Sequence, residues 1–435
     1  MICPSRAVFI NMNGPLSAQF GKFALVRNSD GSAGRLGDAF INSKNGITGN
    51  DDNKLRYGLL GDPAMKMPVY SYNVSTTSIY DTDITHPNVD IPVIPARSNP
   101  LIKGEITDSE GQPVTDFNGY VYLKLYDAEK VVETLGNGDN GKKMLYNDRK
   151  TKLYEGVTKV NNGLWEASVF MPSEIENNFT TGRITYYAIS DDGREANGST
   201  EDFYVYGYDG STTDDNQGPE IHKFVLNHDN FKEGDVTYKT PVVYASFSDE
   251  SGINISDAGI GHSLMLTLDD KTVYTDIINF YTPDINDNRK GSIMYQLPEL
   301  EAGKHTLKLT VWDCANNSSY ATINFNVAAV KNPDIYDITT AVNNNTSGID
   351  FIISSDRPMA SLGCELEVFD INGVRMWHSS SDQRTDSSSS LRMSWDYTTA
   401  SGNKVNNGIY ICRATVISPE GKSATKSKKI IIHNN

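Results

Sequence analysis

Hydrophobic positions along this chain follow two rhythms, and the change between them falls at residues 56–70, RYGLLGDPAMKMPVY. Ahead of it, SRAVFIN (residues 5–11) reads as a strand with Ala7, Val8, Phe9 and Ile10 buried on both faces. Pro15 sits near the start of a helical stretch, LSAQFGKFALV, that sets Phe20, Phe23 and Ala24 on one side at i, i+3, i+4 spacing. RLGDAFINSKN gives a second helix with Leu36, Ala39 and Phe40 inward, and the polar residues 42–53 read as a loop. Tyr57, Leu59 and Leu60 then form a short apolar run that Gly61, Asp62 and Pro63 stop abruptly, which predicts a buried strand ending in a tight turn. Strand, helix, helix, strand predicts a covered, largely parallel sheet. Two such strands need neighbours. Residues 1–70 are therefore expected to be the tail of a larger α/β domain that begins before Met1.

After the GDP turn the period becomes two. Residues 71–98 are rich in Ser, Thr, Asp and Pro without a sustained period and read as an extended linker. From Leu101 strand signals recur between turns. Val121, Leu123 and Leu125 alternate with Tyr120, Tyr122 and Lys124, the pattern of a half-buried strand. The punctuation at DDNQGP (214–219) and KNPDI (331–335) divides the remainder of the chain into three β-sandwich modules, residues 99–210, 217–329 and 333–435. The polar tract Ser379–Ser390 in the last one reads as a long hairpin loop. The expected fold is mainly β: three tandem immunoglobulin-like sandwiches behind the C-terminal remnant of an α/β domain.

Composition narrows the function. A length of 435 residues fits about three domains. The net charge of −16 lacks the clustered basic face of a nucleic-acid binder. No stretch approaches the ~18 apolar residues of a transmembrane helix. Met1–Asn13 does not read as a secretory signal, because Pro4 interrupts a short apolar run and no small-residue cleavage site comes after it. Cys3, Cys314, Cys364 and Cys412 have no close spacing, which excludes a zinc ribbon or a CxxC redox pair. Cys364 shares a face with Leu366 and Val368, and Cys412 with Tyr410, Ala414 and Val416. Both point into one core, as a disulfide or as two buried thiols.

The candidate chemistry is sparse. Cys3 has no histidine before His86, and a nucleophilic thiolate needs a base within hydrogen-bond reach. Asp62, between Gly61 and Pro63, reads as a turn carboxylate rather than a catalytic one. His262 lacks a partner at zinc-ligand spacing. Asp249, Glu250 and Asp257 offer oxygens to calcium but without EF-hand spacing, so they read as a solvated loop. Trp312, Trp377 and Trp395 fall in or beside strands, where core packing accounts for them better than carbohydrate stacking. Tyr120, Tyr122, Tyr186, Tyr187, Tyr204 and Tyr206 are expected to line one sandwich face. No residue is assigned as catalytic, and no metal or cofactor is expected.

GLLGDPAMKMP, preceded by RLGDAF, resembles the end of the gingipain-type cysteine peptidase domain, a caspase-like α/β fold. LYEGVTKVNNGLWEASVFMPSEI, GRITYYAISDDGREA, SDESGINISDAGIGHSLMLTLDD and LKLTVWDCANNSS resemble successive stretches of the type IX secretion system sortases of Bacteroidetes. LEVFDINGVRMW through SWDYTTASGNKVNNGIYICRATV is similar to the immunoglobulin-like domain of flagellar-hook capping proteins. The resemblance implies a cysteine peptidase and transpeptidase on the outer-membrane surface. Such an enzyme removes the C-terminal sorting domain of secreted cargo and joins the cargo to lipopolysaccharide. It implies secretion-system components and cargo as partners. The family's catalytic His and Cys lie upstream of every matched stretch, so this chain is expected to supply scaffold and docking modules. The alternative is a non-enzymatic surface adhesin, for which residues 1–70 would have no use.

Overall fold

The computed structural model describes residues 2–8, 10–26, 33–47, 52–67, 69–86, 90–138, 141–211, 215–256, 258–259, 261–343 and 348–433. Two helices dominate the first unit, α1 (Ile10–Ala24) and α2 (Leu36–Asn45), with a short α3 (Asp52–Arg56) after them. Leu16, Ala24 and Ala39 are its buried apolar side chains. Its two strands, Ile2–Pro4 and Tyr57–Leu59, pair antiparallel, Cys3 opposite Gly58. The parallel sheet expected from the apolar runs is thus a small antiparallel ribbon. SRAVFIN is not its strand: Ser5–Val8 lie outside any strand, Phe9 lies outside the described residues, and Ile10 opens α1. With one partner strand in reach, residues 10–14 satisfy their backbone groups locally, in a helix. The expected loop at 42–53 likewise gives its first residues to α2 and its last to α3.

The GDP turn closes this unit. Gly61 takes φ +135°, and the Asp62 carboxylate accepts the Ala64 N–H at 2.8 Å. The Pro63 carbonyl accepts the N–H of Gly37, and that of Met65 the N–H of Leu36, so the turn is clasped to the start of α2. Leu60, expected inside, is exposed.

Beyond the turn the fold is β. The segment expected as a linker, residues 71–98, instead supplies three strands to the first module. Tyr72–Ile79 pairs with Leu101–Thr107, Thr82–Asp83 hairpins back on it, and Val93–Ala96 pairs with Tyr204–Tyr208. In Tyr72–Ile79 a run of Ser and Thr at half-buried positions masks the signal. The large sheet runs through the strands 195–200, 183–190, 119–126, 152–161, 164–168, 101–107 and 72–79. It then closes on itself, because Glu195–Thr200 also pairs in parallel with Tyr72–Ile79. Gly198 permits the closure: a Cβ there would lie 2.0 Å from the Val74 carbonyl oxygen. A three-stranded sheet of residues 180–181, 204–208 and 93–96 packs against it around Val121, Leu123, Leu125, Phe117 and Phe203.

The second module is a sandwich of a four- and a five-stranded sheet around Phe247, Leu266, Leu309 and Phe325. The third opposes strands 335–343, 348–355 and 390–395 to strands 375–384, 361–369, 408–417 and 423–432, with Trp395 and Phe351 at its centre. The first half of the expected polar loop at 379–390 belongs to the edge strand Arg375–Arg384, which pairs with Ser361–Phe369. The tyrosines do not share one face. Tyr186 is buried, Tyr187 pairs with Tyr122 on the outer side, and Tyr204 and Tyr206 lie on the smaller sheet. Tyr70 packs against Tyr187 with ring centroids 5.8 Å apart.

Candidate functional site

Cys3 is half-buried on its strand, and the Cys3 strand continues into Ser5, whose N–H and hydroxyl both reach the Arg56 carbonyl. His86, the first histidine after it, bonds Asp83 and Thr85 in a turn of the first module. Asp62 holds its own turn. The structure therefore gives Gly61, Asp62 and Pro63 a geometric task, and His86 is engaged elsewhere rather than serving Cys3 as a base.

The richest polar chemistry lies where the first two modules meet. His262 Nδ1 lies 2.8 Å from Glu174 Oε1 across the junction, and its ring packs at a tilt against Trp312, ring centroids 4.4 Å apart. The Ser173 hydroxyl donates to the Cys314 carbonyl at 2.8 Å, and the Asn288 amide to the Ser168 carbonyl. Beside these contacts Asp215, Asp249 and Asp313 bring carboxylate oxygens within 4.8 Å of one another. Asp215 comes from the inter-module segment, Asp249 from the end of one strand and Asp313 from the end of another. Asp313 is fully buried and accepts the backbone N–H and side-chain amide of Asn317. Asp249 accepts the Ser251 N–H at 2.7 Å, and Asp215 the Ser251 hydroxyl. Burial, reinforced by Asp313, Asp215 and Glu250, pushes the Asp249 carboxyl up to about 7. Burial also raises Asp313. Three carboxylates in this arrangement match the hard-oxygen donors of a divalent cation.

Of the carboxylates singled out in sequence, only Asp249 belongs to this group. Glu250 turns away to Arg289 at 2.7 Å, and Asp257 lies outside the described residues. Asp215 and Asp313 escape a reading of the sequence because 98 residues separate them. The tight turn at Asp313–Asn317 is the local hint.

The cysteines are free thiols. Cys412 lies opposite Val368 and Cys364 opposite Val416, four positions apart in register. At ~3.3 Å per residue that offset is roughly 13 Å, about twice what a disulfide spans. The bridge considered for this pair does not form, and the buried-thiol alternative holds. Burial pushes the Cys364 thiol up to about 11 and raises Cys412 and Cys314 as well. These three thiols sit in the state that disfavours nucleophilic chemistry.

Among the described residues no helix is long and apolar enough to cross a membrane. Fold and junction together define a class: an acidic, mainly β chain of tandem modules carried behind a small α/β unit. Among solved structures it is similar to dimeric latent PorU from Porphyromonas gingivalis, at 28% identity over 95% of this chain and 39% of that one, with a TM-score of 0.40. The chain thus spans well under half of that protein's length. It is also similar to a tetra-tandem repeat in the extending region of a large adhesion protein, at 12% identity over 83% of this chain and 74% of that one, TM-score 0.21. A structure of a 1.5-MDa bacterial ice-binding adhesin matches at 12% identity over 83% of this chain and 97% of that one, TM-score 0.16. Superpositions at these scores say nothing about function. No protein-family model matches the chain, and no curated protein does.

Proposed function

We propose that this chain is the scaffold-bearing part of a type IX secretion system sortase, held at the cell surface on the extracellular side of the outer membrane. In this reading the α/β unit completes a gingipain-like peptidase domain and the β modules carry and dock it. The assembled enzyme would cleave the sorting domain from cargo through a thioester and pass the acyl group to an amine or to water. Secretion-system components and cargo would be its partners.

The observation that carries the reading is the apolar surface of the α/β unit. Leu25, Val26, Ile41, Leu55, Leu60 and Met65 are all exposed on a unit of fewer than 70 residues. Such a surface is what a piece of a larger α/β domain presents where its neighbours would pack. The order of motifs along the sequence, from RLGDAF and GLLGDP to the final immunoglobulin-like stretch, supports the same reading. An adhesin has no use for this unit.

Co-expression with a gingipain-like α/β peptidase domain tests it. The chain is expected to copurify with that domain, and Leu55→Asp with Leu60→Asp to abolish copurification. Alone, the chain is expected to show no iodoacetamide-sensitive cleavage of a fluorogenic peptide. Thiol-sensitive cleavage by the isolated chain, or failure to copurify, refutes the assignment and leaves the adhesin reading in front.

A further inference from the structure

A cleft of about 500 Å³ opens where the second and third modules meet. Its second-module wall is the loop that follows the strand Glu220–Leu226. Asn227 turns that loop at φ +59°, a conformation an asparagine takes at little cost. Its buried side chain ties the loop down: the amide donates to the Thr237 hydroxyl at 2.7 Å, and the carbonyl oxygen accepts the Val242 N–H at 2.9 Å. The opposite wall is the turn at Asp386–Ser389. There the Asp386 carboxylate accepts the N–H and the hydroxyl of Ser388, and the Ser389 carbonyl accepts the Ser355 N–H at 2.9 Å. Two contacts span the cleft. The Tyr244 hydroxyl donates to the Ser387 carbonyl at 2.9 Å, and His228 meets Tyr336 edge-on with ring centroids 5.6 Å apart. Both walls are thus formed without a ligand, and the volume falls within the roughly 300–1,000 Å³ of small-molecule sites.

The side chains left over say what fits. Among the described residues, the His228 imidazole, the Asn230 amide and the hydroxyls of Tyr336, Ser354 and Ser387 line the cleft without a hydrogen-bond partner. Its one lysine, Lys223, pairs with Asp229, the one carboxylate that lines it. A charged ligand therefore finds no free counterpart there. Tyr336, 43% exposed, and the half-buried Tyr244 add aromatic rings. Rings beside uncharged donors and acceptors suit a molecule with apolar C–H faces and a rim of hydroxyls, which describes a sugar. A peptide strand is the rival occupant, and it has no ladder to join. Lys426 already takes the carbonyls of Ile335 and Tyr336, at 3.1 and 2.6 Å.

We propose that this cleft binds a neutral saccharide. Tyr336 receives the C–H face of one sugar ring, and Asn230, Ser354 and Ser387 bond its hydroxyls. The proposal is independent of the peptidase assignment, since it uses only the second and third modules.

Saturation-transfer NMR on the full chain, with mannotriose, galactotriose and triacetylchitotriose at about 1 mM, tests it. At least one of the three is expected to receive saturation. Tyr336→Ala should weaken its binding at least about tenfold, whereas Tyr336→Phe, which keeps the ring, and Asn230→Ala should each weaken it about threefold. These side chains are exposed, so the variants should melt with the parent chain; where Tyr336→Ala does not, Asn230→Ala decides. Absence of transfer to all three sugars, or transfer unchanged in the variants, overturns the proposal. Equal transfer to capped tetraglycine, lost in the same variants, also overturns it and makes the cleft a peptide groove.

Discussion

The carboxylates at the junction of the first two modules should make this protein less stable as the pH rises, and Asp249→Asn should remove much of that effect. Asp249 titrates at about 7 in the folded chain, against 3.8 for an aspartate free of such surroundings, so its folded pKa is the higher one. A carboxyl raised in this way binds its proton more readily when folded, so the native state is favoured while the group is protonated. The cost is absent below the unfolded pKa, grows between about 4 and 7, and is fully present above 7. A difference of about three pH units corresponds to roughly 4 kcal/mol at 1.36 kcal/mol each. Asp249 is only partly buried, and solvent screening reduces this to about 1–2 kcal/mol. Asparagine keeps the oxygen that accepts the Ser251 N–H and removes the charge facing Asp215 and Asp313. Calorimetry between pH 4.5 and 8.5, with EDTA present to exclude adventitious cations, reads the result. The variant should match the parent near pH 4.5 and melt several degrees higher at pH 8, about 1–2 kcal/mol for the second module. A parent whose stability is flat between pH 5 and 8, or a variant destabilised equally at every pH, would refute the reasoning.

Two further outcomes rest on packing. Gly198→Ala should cost the first module more than about 2 kcal/mol, because the added Cβ collides with backbone that is fixed on both sides; a circular-dichroism melt measures this, and an unchanged midpoint would mean that the closure is loose. Arg357, buried in the third module, stacks 4.1 Å from the Tyr238 ring of the second and bonds the Lys331 carbonyl between them. Arg357→Ala removes one of the two cations that face the buried Asp356 carboxylate and leaves Lys331 as the other, at a cost of about 1–3 kcal/mol. It should also split the calorimetric transitions of the two modules, whereas a single unchanged transition would show them coupled by other contacts.

Alternation reveals a strand only where one side is apolar. Val121, Leu123 and Leu125 announce theirs, and so do Cys364, Leu366 and Val368. Arg375–Arg384 is hidden because an edge strand is held by backbone bonds to one neighbour, and a Ser-, Asp- and Gln-rich sequence pairs as well as any other there. Tyr72–Ile79 is hidden by its threonines and serines although it pairs on both sides. At the α/β end the apolar run of SRAVFIN points to a strand, but a strand forms only if another chain segment offers it a ladder. The acidic junction is the least legible part. Its three carboxylates come from separate segments, and nothing local to Asp215 reveals that Asp313 will be beside it.

The closure of the first barrel-like sheet has a consequence in time. Tyr72–Ile79 leaves the ribosome with one edge that Glu195–Thr200 completes, and 115 residues separate the two strands. At 5–20 residues per second the earlier strand waits roughly 6–23 s for its parallel partner. During that interval its open edge can pair with any other extended segment it meets. A pairing this distant in sequence also forms slowly once both strands exist. The opening β module is thus the part of the chain most dependent on protection while it is being made, and a delay in translation between the two strands lengthens its exposure directly.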